Sequence, residues 1–401
     1  MAGPMKYNAP AEGTESSIAA AATATSPAGN QIRTDYFYKQ ALIEARKEQY
    51  FTQLADARAM PKNMGKKIVQ YHYLPLLDDR NINDQGIDAL GLTSANGNLY
   101  GSSKDVGTIS GKLPALSETG GRVNRVGFKR KTIEGTFEKF GFFDEYTQES
   151  LDFDSDDQLE QHIAREMVNG ASEMTEDALQ IDLLNSAGVV RLCGAALSVG
   201  AMNATSLVAY GDLMRLSIDL DNNRTPKQTT AFTGTRQIDT KTIPGARAMY
   251  VGSELIPTLK AMKDLFNNPA FIPVEKYAAG GQTLTGEIGA IDQFRIVVVP
   301  EMMKWAGAGA ATAGNTTMYS TGSKFDVFPM LVIGEGSFTT ISFQTDGKGV
   351  KFTIYSRKPG EAAADKDDPY GETGFMSIKW YYGFMALRPE RLGLIKTVAA
   401  I

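Results

Sequence analysis

The chain has 401 residues, 42% hydrophobic and 22% charged, which is ordinary soluble usage and allows two or three domains or one elaborated fold. Its single cysteine, Cys193, excludes an intramolecular disulfide framework, so rigidity must come from packing or assembly. A net charge of −5 argues against a general clamp for nucleic acid, and no run of about 18 apolar residues suggests a helical membrane span.

No cationic-then-apolar signal opens the chain, so a soluble protein, cytosolic where it is made, is expected. Residues 1 to 33 are small and polar without periodicity and read as a flexible arm. A helix is predicted from Thr34, a good N-cap, to Ala59, ended by Pro61. "KKIVQYHYLP" then reads as a strand, with Val69, Tyr71 and Tyr73 alternating with more polar residues. Residues 78 to 121 follow, 44 residues with eight glycines and no sustained period. Structureless stretches of that length are uncommon in compact domains unless they perform a task. "RVGFKRKTIEGTF" is a strand again, so the simplest geometry is a long two-stranded arm with an irregular tip. An isolated hairpin is marginal in water, and this arm needs something to lie on.

The strongest helix follows. Ser155 and Gln158 make a capping-box pattern, and Asp156, Asp157 and Glu160 favour the positive end of the helix dipole. Leu159, Ile163, Met167, Ala171, Met174, Ala178 and Ile181 recur at spacings of three and four, and Gly188 suits the C-terminal stop. A rod of roughly 45–50 Å is predicted, longer than most single domains require. Residues 210–223 are helical in pattern, and 246–266 read as a strand passing into a helix. "FRIVVVPEM", "FDVFPMLVIGEGSFTTISF" and "GVKFTIYS" supply strands, with another low-complexity loop at 306–323. The class is α+β, one long helix and shorter ones against mainly antiparallel sheets.

"GFMSIKWYYGFMALRPERL", residues 374 to 392, contains too few apolar residues, and Lys379 among them, to cross a membrane. At period two, Met376, Ile378, Trp380, Tyr382 and Phe384 share one face, as in a strand with one buried side. Pro389 suits the second position of a turn on "RPER", with "LGLIKTV" returning as the partner strand of a core hairpin.

Chemistry-bearing motifs are weak. His72 and His162 have no cysteine or carboxylate at ligand spacing, and Cys193 lies among apolar residues as a core side chain would. "DFDSDD" opens like a calcium loop but has Asp157 where glycine is needed and Ile163 where glutamate is needed. "GTISGKL" has the wrong glycine spacing for a phosphate loop. No catalytic residue, cofactor or metal is expected. Charge, however, is strongly segregated. Residues 122 to 131 carry five positive charges and no negative one, whereas residues 141 to 186 carry thirteen carboxylates against Arg165 alone. Arms, a long helix and no active-site motif suit a protein built to assemble, since a large interface offsets the ordering entropy of such excursions.

"TIEGTFEKFGFFDEYTQESLDFDSDD", "ARAMYVGSELIPTLKAMKDL" and "DPYGETGFMSIKWYYGFMALRPERLGLIKT" resemble the major capsid proteins of the N-four-like podoviruses, which have the HK97-type capsid fold. The resemblance runs over most of the chain from about residue 35. It implies an N-terminal arm over 1–65, an extended β-hairpin loop over 66–143 and a peripheral domain with the long spine helix over 144–204. The axial domain would occupy mainly 205–350, and C-terminal strands over 351–401 would return to the body. It further implies hexamers and pentamers closing into an icosahedral head around double-stranded DNA, assembled in the host bacterial cytoplasm. Portal, scaffolding and decoration proteins are the implied partners, with no membrane. A scaffolding protein on a separate chain is expected, because about thirty residues before the first helix are too few for a folded scaffold. Lys104 and Lys112 in the extended loop are read as solvated charges, not as cross-linking groups.

The charge segregation then acquires a use. Arg122, Arg125, Lys129, Arg130 and Lys131 would lie across Asp152, Asp154, Asp156, Asp157 and Glu160 of a neighbour, setting register and speeding encounter. Two other functions stand beside a phage coat: a cellular nanocompartment shell of the same fold, and a soluble enzyme of one to four subunits.

Overall fold

In a computed structural model, the protein is described over residues 50–60, 65–73, 130–153, 159–232, 240–277, 284–343, 352–360 and 368–401. A first sheet collects β1 (Asp56–Met60), β2 (Lys67–Tyr73) and the long β3 (Arg130–Thr147). Next come helices α1 (Gln148–Phe153) and α2 (Leu159–Ser186), strand β4 (Val189–Leu192) and helix α3 (Tyr210–Asn222). A ribbon of β5 (Gln228–Phe232) and β6 (Thr240–Pro244) leads into β7 (Arg247–Gly252) and the short helix α4 (Ile256–Lys260). Strands β8 (Ile272–Pro273), β9 (Glu287–Ile291) and β10 (Phe294–Val299) follow, then a second small ribbon of β11 (Ser320–Thr321) and β12 (Lys324–Phe325). The chain closes with β13 (Phe328–Ile333), β14 (Phe338–Phe343), β15 (Phe352–Arg357), β16 (Thr373–Ala386) and β17 (Leu392–Thr397).

Strand order in the first sheet is β1-β14-β16-β3-β2, with β15 also on β16. β16 is its spine. One edge pairs with β3 from Thr373 to Phe384; the other takes β15 first and β14 beyond it. Met376, Ile378, Trp380 and Tyr382 face α2, where Met167, Ala171, Leu179 and Leu183 complete the core. The expected alternation is therefore present, and Met385 turns to the opposite face, against Phe137 and Ile341.

The second sheet runs β4-β17-β13-β7-β10-β9-β8, mixed in direction. Its central strands are largely apolar, β7 and β10 each carrying one arginine, because both faces are covered. Ala248, Tyr250, Leu331 and Ile333 join the core of α2, while Met249, Val251, Met330 and Val332 pack under α3 with Leu213 and Leu216.

Four expectations are corrected. Residues 56–60 form a strand, parallel to β14, and not the end of a helix; the predicted helix over 34–49 lies outside the described residues. Pairing at a sheet edge overrides the helix preference of an alanine-containing segment. The buried face of α2 is rotated from the apolar stripe: Met174 and Ile181 are exposed, and Glu176 and Gln180 are buried. The helix after β7 stops at Lys260, well before residue 266. Finally, β16 and β17 do not form a hairpin. Pro389–Arg391 is one turn of 3-10 helix that hands the chain from the first sheet to the second, where β17 pairs with β13 and β4.

Candidate assembly surfaces

β3 is the element that positions the charged residues. Its N-terminal part pairs with β2, placing Lys131 opposite His72 and Arg130 opposite Tyr73. The Arg130 guanidinium lies 4.2 Å from the centre of the Tyr71 ring, a cation–π contact on an exposed strand. Lys67 and Glu134 form an ion pair across the same ribbon. Val69, Tyr71 and Tyr73 are all exposed on β2, which ends the first sheet among the described residues. Arg122, Arg125 and Lys129 lie outside the described residues.

At the other end of β3, Tyr146 meets the start of α2. Its hydroxyl donates to Glu160 Oε1 at 3.4 Å, and Lys358, just beyond β15, donates to Glu160 Oε2 at 2.6 Å. Burial, then the neighbouring Glu160 carboxylate, raises the Tyr146 phenol above its ordinary range, and the hydrogen bond to Glu160 raises the Lys358 ammonium. Glu160 is thus tied to two elements of its own chain, a partner that sequence spacing gave no means of finding. Asp152 is exposed on α1 and accepts from Gln148 Nε2 at 2.8 Å. Asp154, Asp156 and Asp157, with the expected cap at Ser155 and Gln158, lie outside the described residues.

Arg130 and Tyr146 sit sixteen positions apart on one strand, or about 50 Å at ordinary rise. Of the described residues, Arg130 and Lys131 therefore lie at one end of β3, and Tyr146 with its partner Glu160 at the other. Between those ends, Asp182 on α2 accepts a 2.8 Å hydrogen bond from the Tyr382 hydroxyl in a cleft also lined by Glu138 and Ile181. Burial pushes both groups up, and their bond fastens helix to sheet. Cys193 is fully buried, and that burial pushes its thiol upward, away from reactivity. Among the described residues, no group of three or more His, Cys, Asp or Glu side chains is placed to hold a metal, and no helix is long and apolar enough to cross a membrane.

Residues 130–397 match the model of a family described as phage capsid protein. The chain is also 66% identical over 399 residues to the major capsid protein of Pseudomonas phage KPP21, covering 99% of this chain and 98% of that one. The chain belongs to the phage capsid protein family. Among solved structures, the capsid of Ralstonia phage GP4 superposes with a TM-score of 0.55 at 10% identity, covering 91% of this chain and 95% of that one. The cyanophage Pam1 capsid gives 0.54 at 11% identity over 92% and 97%. At such identities the likeness speaks for the fold alone, which is the HK97 type. This bacteriophage major capsid protein assembles with copies of itself into the virion shell, and its role is structural, not catalytic. Neither reading as a cellular compartment nor as a soluble enzyme survives a two-thirds identity to a phage coat over the whole chain.

Proposed function

We propose that the capsid protein forms hexamers and pentamers that close into an icosahedral head around double-stranded DNA, and that residues 122–131 of one copy lie across residues 152–160 of another. The observation that carries the second part is the length of β3. About 50 Å of strand lies between Arg130 and Tyr146, whose partner is Glu160, and this supports a contact of the two charged segments between chains. In this reading Arg122, Arg125, Lys129, Arg130 and Lys131 meet Asp152, Asp154, Asp156 and Asp157, with Glu160 contributing as an already paired carboxylate. The net charge of −5 suits a container whose genome must move without sticking. Assembly in the host bacterial cytoplasm, with portal, scaffolding and decoration proteins as partners, belongs to the same proposal.

The proposed division is an arm over 1–65, an extended loop over 66–143, a peripheral part over 144–204 with α2, a mainly axial part over 205–350 and returning strands over 351–401. Both sheets draw on several of these segments, since β1, β3, β14 and β16 share one sheet and β4, β7 and β17 the other. Replacing the five cations with glutamate is expected to abolish shells at moderate ionic strength while leaving the chain folded. Adding lysines at Asp152, Asp154, Asp156 and Asp157 to that variant should restore them. Normal shells from the first variant would sink the charge contact.

A further inference from the structure

The cleft between α2 and the first sheet has a volume of about 380 Å³, within the roughly 300–1,000 Å³ of small-molecule sites. Strand alternation builds one wall. Glu138 and Phe140 of β3 share the face turned to α2, as do Tyr382 and Phe384 of β16, while Ile181 and Asp182 come from the helix. Glu138 lies directly opposite Tyr382, with side chains that start about 5 Å apart. The Tyr382 hydroxyl in turn donates to Asp182 Oδ2 at 2.8 Å, so one tyrosine stands between two carboxylates. Burial raises the Asp182 carboxyl, the Tyr382 bond pulls it back, and the Glu138 charge raises it again, which places the two acids within electrostatic reach.

No cation balances them. Among the described residues, the Glu138 carboxylate takes part in no hydrogen bond or ion pair, Asp182 has the Tyr382 hydroxyl alone, and no lysine or arginine lines the cleft. The remaining walls are apolar: Phe140 and Phe384 are partly buried, and Ile181 is 46% exposed. A hydrated metal ion gains nothing from such walls. An ammonium on an alkyl stem uses both features, since its charge relieves the paired acids, its stem covers apolar surface and aromatic faces attract cations. We propose that this cleft binds a small primary aliphatic amine, its ammonium between Glu138 and Asp182 and its stem against Ile181, Phe140 and Phe384.

The test is a ligand-observed NMR titration of the full chain with butylamine, at about 0.15 M salt, where diffuse attraction to an acidic protein is screened. Ammonium ion, which lacks the stem, and 1-butanol, which lacks the charge, should displace butylamine only at concentrations at least about tenfold higher. Glu138→Gln should weaken butylamine about tenfold, whereas Glu145→Gln, at an odd position of β3 and so on its opposite face, should change nothing. Glu138 is exposed, so its variant should melt like the wild type; if it does not, Ile181→Ser decides, by weakening butylamine but not ammonium. Equal weakening by both glutamate variants, or butylamine no tighter than ammonium, overturns the site. Assembled shells that exclude butylamine while the free chain takes it up would give the cleft to a lysine side chain of another copy and overturn the free amine.

Discussion

Asp326 is 1% exposed and anchors the loop between β10 and β13. Its Oδ1 accepts from Gly307 N–H at 2.8 Å, and its Oδ2 accepts from Lys304 Nζ at 2.8 Å and Thr321 Oγ1 at 3.1 Å. Burial raises such a carboxyl, but the Lys304 ammonium, the Gly307 N–H and the Thr321 hydroxyl outweigh it and hold Asp326 below its ordinary range. A depressed carboxyl contributes stability above its unfolded value of about 3.9, and that contribution is lost as pH falls through the lower folded value. Urea midpoints should therefore drop below about pH 4 in the wild type, and Asp326→Asn should lack that component of the drop. An unchanged pH slope in the variant would refute the role. Arg247, with no exposed surface, is a second buried charge, held by Asp221 Oδ1 at 2.6 Å and the Thr225 carbonyl at 2.7 Å. Neither residue stands out in the sequence, because a buried ion looks like any surface charge until its partners, many positions away, are known.

Secondary structure along β16 was legible because alternation at period two survives wherever one face is buried. Its partner was not legible. Alternation says which side chains share a face and nothing about which strand lies alongside, so a proline turn was read as a hairpin when it joins two sheets. The register of α2 failed for a different reason. Glu176 lies on the buried face, 5% exposed, where it accepts the Phe51 N–H at 2.6 Å and the Thr52 hydroxyl. Gln180, 2% exposed, donates to the Met302 sulfur. Polar residues that bind another segment are invisible to a count of apolar spacings, and Met174 and Ile181 filled the count instead. Glu176→Ala leaves a buried N–H without its acceptor, for which about 1–3 kcal/mol of destabilisation is expected in urea titration. Glu176→Gln should recover much of it through its remaining carbonyl oxygen. Equal loss in both variants would mean that the carboxylate's charge, and not the acceptor, holds residues 51 and 52 to the helix.

For the whole molecule, the chain crosses between its two sheets several times, and no local pattern marks those crossings: β13 and β14 are four residues apart yet lie in different sheets. What the sequence did carry at this scale was charge segregation and a length of chain that no single core needs. The proposed charge contact responds to salt. Exposed charges separated by a fixed gap are screened as the Debye length falls from about 10 Å at 0.1 M to about 3 Å at 1 M. Wild-type assembly, followed by light scattering, should therefore slow between 0.1 M and 1 M sodium chloride if the basic and acidic segments steer encounter. The charge-reversed variant should recover part of its assembly at the higher salt, where its repulsion is screened. A charge-reversed variant that stays inactive at both salt concentrations would trace its failure to something other than screened repulsion, and a wild type whose rate ignores salt would remove the steering role.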